Sequence, residues 1–163
     1  MEARHGWNGA FAALCIVMAL AASAAHGGAP RNTAHEILSA ADVDGGLVIH
    51  VGCGEGQLTA ALRAGPGYVV HGLDEDGAEV RRARENIRSA GLYGEVTVEQ
   101  WTAPYLPHAG RLADLVVVED RGNIPREEIM RVVAPRGAAC YRTDDGWDVR
   151  RKPWPAELGE WTH

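Results

Sequence analysis

LVIHVGCGEGQLTAAL, residues 47–62, decides the fold of this chain. Leu47 to Val51 is a short apolar run, Gly52-Cys-Gly-Glu-Gly56 follows at once, and Leu58, Ala61 and Leu62 then recur at helical spacing. The order is strand, tight loop, helix. Glycine accepts positive φ and lets backbone approach a ligand closely, so Gly52, Gly54 and Gly56 read as a turn whose N–H groups can face one. The following helix N-terminus adds about half a positive charge there.

The strand and helix alternate again on either side. Tyr68 to Leu73 is a second buried-strand candidate ending at Asp74, and Val80, Ala83, Ile87 and Ala90 then line one helical face with Gly91 as the stop signal. Gly94 to Val98 is a third strand and Leu112 to Val118 a fourth. Pro125 opens a helix through Ile129, Met130 and Val133, Pro135-Arg-Gly137 ends it, and Ala138 to Tyr141 is a fifth strand. Upstream, Gly27 to Asn32 has linker composition, and Thr33-Ala-His-Glu36 has capping-box spacing ahead of Ile37, Leu38 and Ala41. From Thr143 to His163 no apolar run exceeds two residues, so an irregular tail or linker is expected. The alternation predicts an α/β, doubly wound, Rossmann-like and mostly parallel sheet of about five strands, covered on both faces, with the folded domain over 33–142.

Composition sets the limits of function. The chain has 163 residues, 46% of them hydrophobic, with 16 basic against 22 acidic side chains, which is one domain of net charge −6. A surface that tracks phosphates is excluded on that balance, and no nucleic-acid partner is expected. Arg4 and His5 precede an apolar or small run from Ala10 to Ala22, and Ala22-Ser23-Ala24 has the form of a cleavage site. Residues 1–25 therefore read as a signal peptide and the protein as exported, periplasmic or secreted, with no stable membrane span after cleavage. Cys53 and Cys140 would remain in the mature chain as two small buried thiols, and no Cys/His spacing matches a metal site. His71 and His108 read as packed or solvated histidines.

Asp74 narrows the ligand. It stands twenty residues past Gly54 at the end of the second strand, where a carboxylate can accept both hydroxyls of a ribose. Asp76 is the better candidate for capping the next helix. A glycine turn plus a ribose acid points to an adenosine-type ligand. Gln57 stands where the dinucleotide fingerprint needs its third glycine, which disfavours a nicotinamide-dependent oxidoreductase.

VIHVGCGEGQLTAAL, HGLDEDGAEVRRARENI, ADLVVVED and IMRVVAPRGAACY together resemble the class I S-adenosylmethionine-dependent methyltransferases, over roughly residues 34–142. The resemblance implies a truncated form of that fold, S-adenosylmethionine as cofactor and methyl transfer to a small-molecule or protein acceptor. It further implies that Gly52, Gly54 and Gly56 pack around the methionine part and that Asp74 binds the ribose. Asp120, with Glu119, would lie beside the sulfonium methyl, where Asp120 is the catalytic candidate; a solvated loop end is the plain alternative. Glu75, Thr102 and Ala103 complete the implied cofactor-binding set. His50, Glu75 and Thr102 depart from the family pattern, which has an acid, a hydrophobic residue and an Asp at those three places.

KPWPAELGEWTH, from Lys152 to His163, is similar to the junction in exported bacterial proteins where a methyltransferase-like domain precedes a pyrroloquinoline-quinone-type β-propeller. That implies a β-propeller domain or subunit as partner. The competing reading is a non-catalytic module that keeps the adenosyl-ligand pocket without the chemistry. An export signal favours it, because the cofactor is made inside the cell.

Overall fold

The computed structural model describes residues 28–155, so the signal-peptide reading of residues 1–25 and the end of the junction segment lie outside the described residues. The elements in chain order are helix α1 (residues 28–41), β1 (Gly46–Val51), α2 (Gln57–Leu62), β2 (Tyr68–Asp74), α3 (Gly77–Ser89), β3 (Val96–Gln100), β4 (Ala113–Val118), α4 (Arg126–Val132), β5 (Val133–Thr143) and β6 (Gly146–Arg151). They build one six-stranded sheet in the order β3-β2-β1-β4-β5-β6. The first five strands run parallel, with Val48 level with both Val70 and Leu115, and β6 returns antiparallel to β5. This is the doubly wound sheet expected from the alternation.

Two core layers follow from the pleat, because successive side chains of a strand point to opposite faces. Val48 of β1 joins Val70, Leu115 and Ala138 beneath α1, α2 and α3. Its neighbour Ile49 joins Val116, Ala139 and Ile129 beneath α4. Helix α3 buries Val80, Ala83 and Ile87 at spacings of three and four, which is why it lies flat on the first face. Its ends are specified locally. Asp76 accepts from the Ala78 N–H at 2.7 Å, and at the other end Leu92 N donates to Ile87 O and Gly91 N to Arg88 O, with Gly91 at φ +72. That is the paired bonding of a Schellman stop.

Four boundaries differ from the expectation. Residues 28–32 are helical rather than a linker, so Thr33 does not cap a helix but lies within one, its Oγ1 donating to Ala29 O at 3.0 Å. β3 is displaced by two residues, because Gly94 (φ +101) is spent in a turn in which Glu95 and Val96 both donate to Leu92 O. Pro135-Arg-Gly137 does not terminate α4; the chain is already extended at Val133, and these residues form a bulge between the pairs Ala113–Val133 and Leu115–Ala138. Gly137 is required there, since a Cβ would sit 2.8 Å from Asp114 O.

The supposed irregular tail contains β6. Gly146 (φ +135) opens it, and Trp147 and Val149 pack on the first core layer while Asp148 between them lies on the other face. Lys152, just past β6, donates from Nζ to Met130 O at 2.6 Å and Val133 O at 2.8 Å, so the hairpin caps the carboxyl end of α4. Both cysteines of the described residues are free and buried, as expected.

Candidate functional site

The glycine loop lies at the carboxyl end of β1, between the two halves of the sheet where the crossovers change direction and ligands bind in such folds. All three of its glycines have positive φ, at +72, +50 and +74 for Gly52, Gly54 and Gly56. Each answers a different demand. A Cβ on Gly52 would lie 2.5 Å from Asp120 O, so that glycine lets the loop after β4 close against it. A Cβ on Gly56 would lie 2.8 Å from Ala83 Cβ, so that one seats α3. At Gly54 nothing lies within 4 Å of the added atom; this glycine faces open space.

Asp74 is fastened to the same loop. Its Oδ2 accepts from Gly54 N at 2.7 Å and its Oδ1 from Asp76 N at 2.9 Å. Each carboxylate oxygen has a second acceptor direction left for an incoming hydroxyl. The acid therefore serves as both loop clamp and ligand acceptor.

Two recesses meet at Gly54. One, of about 310 Å³, is lined by Gly52, Leu73, Asp74, Glu75, Trp101, Asp120, Gly122 and Ile124. The other, of about 350 Å³, is lined by Cys53, Gly56, Gln57, Leu58, Glu119 and Arg142 together with Pro30 and Thr33 of α1. Either is at the lower end of small-ligand pocket sizes, and their junction suits an elongated ligand. The first recess pairs carboxylates with an indole and aliphatic wall. The second sets two acids, Glu55 and Glu119, against one guanidinium, Arg142. Partial burial raises the Glu119 carboxyl above its usual range, and Arg142 opposes the shift.

Of the residues singled out from the sequence, the structure gathers Gly52, Gly54, Gly56, Asp74, Glu75, Glu119 and Asp120 around this junction. Asp120 Oδ1 also accepts from Gly122 N at 3.0 Å, which shapes the loop after β4. Thr102 is exposed, and neither it nor Ala103 is part of the lining; Trp101 stands there instead, its backbone N–H bonded to Asp74 O. Trp101 and Arg142 are the residues the sequence reasoning missed. Both directly follow or end a strand at its carboxyl end, which is the signal that would have found them.

His50 is fully buried on the α2 side of β1, its Nδ1 2.9 Å from Thr59 Oγ1, and burial lowers its pKa to about 3. A neutral imidazole replaces the expected acid in the core, away from both recesses. Cys53 is buried beneath the loop, and burial, with Asp74 nearby, pushes its thiol up to about 12. His71 and His108 pair with each other, Nδ1 to Nε2 at 2.9 Å, and neither lines the junction. A larger cavity of about 680 Å³ opens at the opposite end of the sheet, near Val43, Arg63 and Tyr68, and holds no part of the glycine loop. Among the described residues no group of three or more His, Cys, Asp or Glu could hold a metal ion, and no helix is long and apolar enough to cross a membrane.

A doubly wound sheet with an open glycine at its switch point and an acid at the end of the neighbouring strand defines a protein built to bind a nucleoside-bearing ligand. Residues 48–137 match the family described as "Methyltransferase domain", and the chain belongs to that family. It is 33% identical over 96 residues to Methyltransferase GfsG of Streptomyces halstedii, covering 57% of this chain and 34% of that protein. It is 37% identical over 90 residues to Ribosomal protein L11 methyltransferase of Caldanaerobacter subterraneus subsp. tengcongensis, covering 55% of this chain and 26% of that one. The chain thus matches only about a third to a quarter of these relatives' lengths. Its fold is similar to that of a solved structure described as an S-adenosyl-L-methionine-dependent methyltransferase of Methanococcus maripaludis, with a TM-score of 0.61 and 24% identity over 69% of this chain and 53% of that one.

Proposed function

We propose that the protein holds S-adenosylmethionine across the junction of the two recesses and directs its methyl group to an acceptor. The observation that carries this is Gly54, which presents an empty cradle between the recesses while its N–H holds the Asp74 carboxylate at the cradle's edge. The residues present fit the cofactor's chemistry. Asp74 offers two free acceptor directions for a ribose diol, and Trp101, Leu73 and Ile124 give a flat apolar wall for a base. Arg142 and Glu119 oppose each other as the carboxylate and ammonium of an amino acid require.

When bound, the cofactor would supply an electrophilic methyl, the S–CH₃ bonding electrons returning to sulfur as the acceptor's lone pair bonds to carbon, and any proton on the nucleophile would pass to water or a carboxylate. Glu119 and Asp120 border the place where that proton would be released, and burial raises the Glu119 carboxyl above its usual range, which favours proton uptake there. Most of the rate would come from holding the reacting groups in line. The reading keeps two expectations from the sequence, export and a β-propeller partner, supported by the apolar N-terminal run and the Lys152–His163 segment. N-terminal sequencing of the extracytoplasmic form tests the first.

The ligand is tested by heat denaturation of the full chain. S-adenosylhomocysteine at a hundredfold over its Kd should stabilise by about 2.7 kcal/mol, and NAD should give much less. No stabilisation by S-adenosylmethionine or S-adenosylhomocysteine at millimolar concentration would overturn the reading.

A further inference from the structure

On the α4 face, outside both recesses, a groove of about 400 Å³ is lined by Arg126, Met130, Tyr141, Arg150 and Arg151. No acidic residue is part of that lining, in a chain whose net charge is −6. The Tyr141 ring is 5% exposed and forms the floor with Met130, and the Arg126 guanidinium stacks on it with 5.0 Å to the ring centroid. Arg150 and Arg151 are each within ion-pair distance of a carboxylate, Asp148 at 2.9 Å and Asp42 at 3.8 Å, and Asp148 stands level with Tyr141. Arg126 is exposed and has no carboxylate within ion-pair distance among the described residues. Three guanidiniums over an apolar floor form a site for an anion attached to an apolar body.

The floor of the groove lies one residue level below the loop that borders the proposed methyl-transfer junction. Tyr141 is level with Val118, the residue before Glu119 and Asp120, and Arg126 begins the helix that follows their loop. The Tyr141 phenol is pushed up by burial, with Asp148 adding to it, and pulled back by Arg126, Arg121 and Arg150, and Arg121 itself lines the first recess. Arg150 is level with Ala139, three residues below the level of Glu119 along β5. Between backbones that separation is about 10 Å, and the Arg150 side chain reaches back toward the loop as far as Asp148.

We infer that this groove is the acceptor site, and that the acceptor is an elongated small molecule whose carboxylate or phosphate is held by Arg126 and Arg150 while its other end carries the nucleophile to the loop at Glu119 and Asp120. The inference rests on the methyl-transfer reading for its purpose, though the anion site stands on its own geometry. Charge complementarity selects a small anion over a neutral compound.

The test uses the full chain and a matched pair of probes, 4-hydroxycinnamate and its neutral amide 4-hydroxycinnamamide, titrated calorimetrically with and without saturating S-adenosylhomocysteine. The acid should bind about tenfold more tightly than the amide, and Arg126→Gln with Arg150→Gln should remove that preference. The double variant should keep its S-adenosylhomocysteine affinity and its melting temperature, since both arginines are exposed. Equal binding of acid and amide, binding of neither at millimolar concentration, or an acid preference that survives the double substitution would overturn the anion site. Normal S-adenosylhomocysteine binding alongside such a failure removes this inference alone. Acid binding without any S-adenosylhomocysteine binding removes the acceptor role.

Discussion

Replacing the three loop glycines one at a time by alanine separates the demands of fold from the demands of ligand. Gly54→Ala puts a non-glycine residue at φ +50, which costs about 1–2 kcal/mol, and its Cβ meets nothing within 4 Å. Gly56→Ala adds to the same backbone cost a Cβ 2.8 Å from that of Ala83, a fully buried residue of α3, so the helix must move or overpack at a further 1–3 kcal/mol, roughly. Gly52→Ala drives its Cβ to 2.5 Å from a backbone oxygen of Asp120, which no side-chain rotation can relieve. Thermal denaturation should therefore rank Gly54→Ala as the mildest, with a melting temperature about 5 °C below the parent, and the other two lower still. Binding should rank in the reverse sense. Per unit of stability lost, Gly54→Ala should harm S-adenosylhomocysteine affinity most, by at least about tenfold, because its methyl projects into the junction of the recesses. A Gly54→Ala protein that binds the ligand as tightly as the parent would refute the placement of the cofactor. A Gly56→Ala protein that melts no lower than Gly54→Ala would refute the helix-seating argument.

Three further outcomes follow from the same geometry. Arg142→Ala should weaken S-adenosylhomocysteine by about tenfold and leave 5′-methylthioadenosine, which lacks the amino-acid end, unaffected; calorimetry showing both ligands weakened alike would remove Arg142 from that role. His50 holds its proton at about pH 3 when folded against 6.5 when unfolded, so the unfolded chain binds more protons between those values. Stability is complete above pH 6.5 and falls as pH drops toward 3, by about 1.4 kcal/mol per pH unit from this one group. Urea melts at pH 7, 5.5 and 4.5 should show that slope diminished in His50→Gln, and an unchanged acid limb would count against it. Burial raises Cys53 to about 12 and Cys140 to about 11, so peptide mapping after iodoacetamide at pH 8 should find both unmodified in the folded protein and modified in guanidinium.

The sheet was legible wherever a strand is buried on both faces. Leu47 to Val51 and Ala113 to Val118 are nearly continuous apolar runs, and such runs arise when helices cover both sides of a parallel sheet. β6 escaped because it pairs with β5 on one side only and buries one face. Gly146-Trp-Asp-Val-Arg-Arg151 alternates packed and outward residues, a period-two signal that an argument from uninterrupted apolar runs discards. The first turn of α1 escaped for a different reason. Gly28, Pro30 and Asn32 have linker propensities, but Ala34, Ile37, Leu38 and Ala41 dock on the first core layer, and that burial holds the preceding turns in a helix.

Site legibility divides along the same physical line. Gly52, Gly54, Gly56 and Asp74 were readable because their roles are set by backbone conformation and by a strand end, both of which leave local marks in sequence. Arg142 and Trp101 left only a strand-end position, and what brings them to the junction is register: Val118 level with Tyr141 puts Arg142 beside Glu119, and Asp74 level with Gln100 puts Trp101 over the first recess. The Arg126 and Arg150 groove is further removed, because it exists only once β6 has turned back along β5 and brought Arg150 level with Ala139, on the α4 face. Residues 126 and 150 carry no mutual spacing signal. A one-residue slip of β6 would send Arg150 to the opposite face and Val149 out of the core, so the packing of Trp147 and Val149 that fixes the hairpin's register also fixes the charge of the groove.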